Sequence, residues 1–183
     1  MKSLASKLLM EIPGLLLAPV VVGALALVLY LLGLVPAYVQ STTGVTEYPS
    51  IEAAESELGF RIIIPTYFPS YLAWPPARIE GRLEPERRVE MLFISATQQT
   101  KALVIQEIVT ENGDVDRPLP WIETIQQTIP VAIGDSEGKL VVGRDADGQL
   151  VNAVTWRSGS MTLVMVTTRP VPELLTLARS MHP

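Results

Sequence analysis

The sequence has no cysteine and a single histidine, His182, beside the C-terminus. That excludes disulfides, thiolate metal sites, iron–sulfur clusters and a cysteine nucleophile. It also leaves no internal imidazole for a catalytic triad or a histidine metal site. Charge is scarce: only 18% of the 183 residues are Asp, Glu, Lys or Arg, and the net charge is −5. A chain without a basic surplus is a poor general nucleic-acid binder, so no nucleic-acid partner is expected. Neither Gly-x-x-x-x-Gly-Lys nor Gly-x-Gly-x-x-Gly occurs, so the glycines build no familiar phosphate cradle. Hydrophobic residues make up 48% of the chain, which is too apolar for a disordered polymer.

The apolarity is concentrated near the N-terminus. From Ile12 to Val39 there is no charge. A bilayer-spanning helix needs about 20 apolar residues, whereas a signal-peptide core has roughly 7–15 and a small-x-small cleavage site. Ala37-Tyr38-Val39-Gln40 fits such a site poorly. The expectation is a retained transmembrane helix within 13–39, centred on Leu15 to Val35, after a short cytoplasmic tail at 1–12. Lys2 and Lys7 precede it, while Pro36 to Ser50 carries no Lys or Arg. The positive-inside rule then puts the N-terminus in the cytoplasm and the rest outside the cytoplasmic membrane.

Pro19, Gly23, Ala26, Tyr30, Gly33 and Ala37 recur at alternating steps of three and four. Small residues at that spacing let helix backbones approach closely in lipid. This stripe is the candidate packing seam for transmembrane helices of other subunits. Membrane lipid covers the remainder. Pro13 and Pro36 bracket the helix.

Beyond a polar linker at 40–49, residues 50–183 read as one extracytoplasmic α+β domain. Ser50 caps a helix beginning at Ile51, with acids in its first turns and Gly59 as its stop. Arg61-Ile-Ile-Ile-Pro65 reads as a short strand. Pro65 to Pro76 is rich in proline and aromatics and has neither helical nor strand period. The pattern then alternates every two residues. Strands are expected at Ala77–Leu83, Arg88–Ala96, Ala102–Thr110, Ile129–Gly134, Lys139–Arg144, Leu150–Trp156 and Met161–Thr167, joined by Gly- and Asp-rich turns. Trp121 to Gln127 is expected to form a helical turn. Leu174, Leu177, Ala178 and Met181 form one apolar stripe on a final helix starting at Pro172. The expected architecture is a curved antiparallel meander with two packed helices.

The order of these segments carries a resemblance. Phe60-Arg-Ile-Ile-Ile-Pro65 and the Tyr/Phe-Pro loop are followed by Val131-Ala-Ile-Gly134, Val154-Thr-Trp156 before a Gly turn, and a Glu-Leu-Leu helix. Over about Ile51 to Met181 the chain resembles a family of uncharacterised bacterial extracytoplasmic domains. These occur on membrane anchors and at the outer ends of some anti-sigma factors, and are lipoprotein-carrier-like in shape. The resemblance implies a binding or sensing module rather than a catalyst. It carries over no catalytic residue. An anti-sigma factor needs a cytoplasmic sigma-binding domain, and with only 1–12 expected on the cytoplasmic side none is expected here.

Candidate chemical sites are few. Asp145-Ala-Asp147-Gly148 opens like a calcium loop, but Trp156 stands where the twelfth-position Glu belongs. Asp114 and Asp116 read as a solvated turn. Glu84, Glu86 and Glu90 alternate with Arg82, Arg87 and Arg88, the pattern of a charged outer face rather than a catalytic acid pair. No catalytic residue, metal ligand or cofactor site is expected. The surface candidate is the cluster Tyr67, Phe68, Tyr71 and Trp74. Rigid aromatics with polar tips suit both roles open to it: plugging the end of the sheet, or docking on a partner or the membrane surface.

The functional expectation is a non-catalytic accessory subunit of a bacterial membrane complex. Respiratory and photosynthetic complexes are fitting hosts. The alternative is a free-standing sensor or carrier holding an apolar ligand or peptide within the sheet.

Overall fold

A computed structural model describes residues 44–110 and 119–181. The membrane segment at 13–39 and its seam residues Pro19, Gly23, Ala26, Tyr30, Gly33 and Ala37 lie outside the described residues, as do Asp114, Asp116 and His182. Among the described residues no helix is long and apolar enough to cross a membrane.

The described chain is α+β. In order it forms β1 (Val45–Glu47), α1 (Ile51–Leu58), β2 (Arg78–Arg82), β3 (Arg88–Ile94), β4 (Lys101–Val109), β5 (Thr124–Ile133), β6 (Ser136–Arg144), β7 (Leu150–Ser158), β8 (Met161–Thr167) and α2 (Val171–Arg179). The eight strands make one antiparallel sheet in the order β1-β2-β3-β4-β8-β7-β6-β5.

The order corrects the expectation of one continuous meander. Two four-strand meanders meet where β4 pairs with β8, so β5 lies at the far edge. The chain thus passes from β4 in the middle of the sheet to β5 at its edge. Leu119, Trp121 and Ile122 of that connection pack on Val141, Val151, Ala153, Val164 and Val166, on the sheet face opposite the helices. The expected helical turn at Trp121–Gln127 is absent. A turn at Pro120–Trp121 leads directly into β5 at Thr124.

Two further expectations change. Val45–Glu47, read as linker, adds a short strand to the edge of β2, with Val45 opposite Arg82 and Glu47 opposite Glu80. Val and Thr suit a pleated edge better than a free linker. Arg61–Pro65, read as a strand, joins no ladder. Its Ile62 and Ile63 are buried, but their amides donate to carboxylates instead of to a neighbouring strand.

Local chemistry accounts for the ends of the elements. Ser50 Oγ accepts from Ala53 N–H at 3.2 Å, and Gly59 ends α1 in the left-handed region at φ 72°. The β5–β6 and β7–β8 hairpins turn through Gly134-Asp135 and Gly159-Ser160. Each glycine takes positive φ at the first turn position, where a type II′ turn favours it. At the next hairpin, Asp145 Oδ1 accepts from the amides of Asp147 at 3.0 Å and Gln149 at 2.8 Å. That carboxylate closes the turn.

Strand alternation builds the core. Ile79, Met91, Ile105, Met165, Val154 and Leu140 form one continuous row across six strands. All six are buried. The same cluster takes in Ala54 and Leu58 of α1 and Leu174, Leu177 and Ala178 of α2. The inner face of the sheet is thereby filled by side chains from both helices and from the Ile62–Ile63 strap.

Candidate functional site

The aromatic loop is fixed by backbone bonds at the end of β3. Leu72 bridges to Ser95, Ala73 N–H donates to Ile94 O at 2.9 Å, Ala77 N–H to Leu92 O at 2.8 Å, and Ala96 N–H to Tyr71 O at 2.7 Å. Pro75 and Pro76 restrict φ between these attachments, and Pro65 and Pro69 restrict it in the approach to them. The loop is therefore held without belonging to a strand.

Its four aromatics divide into two groups. Phe68 meets Trp74 edge to face at 5.4 Å and leans on Phe93 of β3 at 5.3 Å. Trp74 stacks on Phe93 at 6.3 Å. Phe93 is fully buried, Phe68 is half-buried, and Trp74 remains 55% exposed. The indole is thus clamped from within while much of its surface faces solvent. Such aromatic pairs contribute about 0.5–1.5 kcal/mol beyond the area they bury.

Tyr71 belongs to the second group. The Arg169 guanidinium lies 4.2 Å above its ring, and its hydroxyl is hydrogen-bonded to Glu173 of α2. Burial raises the phenol above its ordinary value, and Glu173 raises it further by holding the neutral form. Tyr67, 48% exposed, is the other ring displayed to solvent.

The two roles anticipated for the loop fall on different residues. Phe68 and Leu72 close the core, Tyr71 fastens the loop to α2, and Tyr67 and Trp74 form the outer surface. Apart from Arg169 and Glu173 at Tyr71, the loop and the turn beside it are uncharged. Pro65 to Ala77 carries no charged residue, nor does the adjoining β3–β4 turn from Ser95 to Thr100. Sequence reading missed Phe93, Arg169 and Glu173. Phe93 was legible as an inward position of an alternating strand, but its place beneath the loop was not. Nothing in the spacing linked Arg169 or Glu173 to Tyr71.

Among the described residues the remaining acidic candidates do not gather into a cluster. Glu84 is exposed, and Glu86 and Glu90 are half-buried. Among the described residues no three acids or histidines come together in a way that could hold a metal ion. The arrangement can offer a rigid, uncharged aromatic surface. No family model, curated protein or solved structure matches the chain.

Proposed function

We propose that the protein is a non-catalytic accessory subunit of a bacterial membrane complex. One helix within 13–39 anchors it, with Lys2 and Lys7 on the cytoplasmic side and the α+β domain outside. The stripe from Pro19 to Ala37 packs on helices of other subunits. An eight-stranded antiparallel sheet with two helices on its filled inner face is in keeping with the resemblance to extracytoplasmic domains on membrane anchors. Tyr67 and Trp74 form the extracytoplasmic docking surface.

The observation that carries this reading is the state of Trp74. A tryptophan left 55% exposed at a neutral loop normally incurs a solvation cost, yet here Phe68 and Phe93 hold it in one orientation. A ring already fixed loses little side-chain freedom on docking, and tryptophan is prominent among residues that dominate interface energies. The carrier alternative is less well supported, because the inner face is occupied by the protein's own side chains.

The test is purification of the full chain from its native membrane in mild detergent. A fixed molar ratio to one set of membrane subunits supports the proposal. Purification as a lone chain, under conditions that keep other complexes intact, contradicts it.

A further inference from the structure

Glu107 is the only acidic or basic residue among the described residues that is fully enclosed by the core. It stands on the inner face of β4, between Val89 of β3 and Leu163 of β8 in the pairing register. Both of its oxygens lie on one donor, the Ile63 N–H, at 2.9 and 3.1 Å. The preceding amide, Ile62 N–H, donates to Glu55 Oε1 of α1 at 2.8 Å. Consecutive amides of a segment without a strand partner are thus held by two carboxyl groups, one from the helix and one from the sheet.

The same segment is fixed again just downstream. Thr66 donates to Ser180 O through its amide at 3.0 Å and through its hydroxyl at 2.9 Å. Residues 61–65 therefore form a strap from α1 to the C-terminal end of α2, and the aromatic loop follows directly. Tyr67 follows directly on the strap's fixed end, whereas Trp74 is held at the end of β3.

The charges around Glu107 do not compensate it. From α1 the facing group is Glu55, a like charge. Val89 and Leu163 face it from β3 and β8, and Ile63 from the strap. Arg61 is exposed, and the Arg87 guanidinium lies near Gly59 at the end of α1. Among the described residues no cation pairs with Glu107. Burial pushes its carboxyl up to about 8, the Ile63 amide pulls it partly back, and Glu55 adds to the rise.

We propose that Glu107 is a proton-controlled latch: protonated, it closes the strap onto the sheet, and loss of the proton favours an opened strap in which the carboxylate meets water. The direction follows from linkage. The closed strap holds the proton until about pH 8, whereas an opened, hydrated carboxyl releases it near its ordinary value of 4.5. Closure is therefore strongest in acid and weakens about tenfold per pH unit from about pH 5 to about pH 8, then levels off. In an extracytoplasmic domain this would couple external pH to the base of the aromatic loop. That consequence rests on the topology proposed above; the latch itself does not.

The experiment is amide hydrogen exchange on the full chain in detergent, read at Ile62 and Ile63 and corrected for intrinsic base catalysis. Protection should fall roughly a hundredfold over two pH units in that range. In Glu107→Gln, whose side-chain oxygen still accepts from Ile63 N–H, it should be flat. Equal slopes in the two proteins, or a flat profile in the parent, overturn the latch. If Glu107→Gln fails to fold, infrared spectra of the parent chain decide. A protonated carboxyl band persisting at about pH 7 and lost above about pH 8 supports the latch. Its absence at about pH 7 overturns it.

Discussion

Leu58 rests on Gly81. A Cβ placed at Gly81 would come 3.0 Å from Leu58 Cδ1 and 2.7 Å from Tyr48 Cε2. Gly81 sits on the inner face of β2, opposite Val89, so its missing side chain makes the space in which α1 lies on the sheet. Gly81→Val should lower stability by about 1–3 kcal/mol, the usual cost of overpacking a filled core. Chemical denaturation of the parent and variant provides the check. An unchanged midpoint would mean that α1 is not seated as described.

Pro130 shields the open edge of β5. Ile133 and Ser136 flank the two-residue turn, so they exchange hydrogen bonds, and alternation turns the backbone groups of Ala132, Pro130 and Thr128 toward the open side. Proline removes a donor there, and the register shift between Ile125 and Gln127 breaks the edge again. β5 has no charged residue to repel a second strand. Pro130→Thr should therefore raise concentration-dependent association, as read by light scattering. Identical scattering by parent and variant would remove the protective role.

Tyr71 fastens the aromatic loop to α2 through Glu173 and Arg169. Tyr71→Phe keeps the ring beneath Arg169 and deletes the hydroxyl. The expected loss is about 1 kcal/mol, typical of one hydrogen bond. Thermal unfolding should show it as a small fall in Tm. Glu173→Gln should reduce the elevation of the Tyr71 phenol, visible by ultraviolet titration as ionisation at lower pH.

Much of this fold was legible where the determinants are local. Ser50 and Gly59 announced α1, and the alternation of Val89, Met91 and Phe93 announced β3. The apolar stripe from Leu174 to Met181 announced α2. The misses were non-local. Arg61-Ile-Ile-Ile-Pro65 has the composition of a strand, and only the distant Glu107 and Ser180 show that it is a strap. The pairing of β4 with β8 depends on segments some 50 residues apart, for which alternation provides no signal. The first half of β5, with Ile125 to Thr128 exposed on both faces, shows no buried period to read. Glu107 could have been singled out, because it alternates in phase with Leu103 and Ile105 and so had to point inward. In the aromatic loop the density of rings marked a site, but a segment without a period could not say which rings would be buried.

Membership of a membrane complex is the central claim, and its most direct measurement is the native mass of the full chain in mild detergent. Three proteins should be compared: the parent, Tyr67→Ser with Trp74→Ser, and Gly23→Ile with Gly33→Ile. The parent should migrate in one large assembly with a fixed ratio of other membrane subunits. Interhelical contacts contribute about 1 kcal/mol each, so loss of two or three along the seam should weaken association roughly ten- to a hundredfold. Both double variants should insert into the membrane and shift toward the mass of the free chain. A parent that already runs as the free chain, or double variants that keep the assembly intact, would contradict the account.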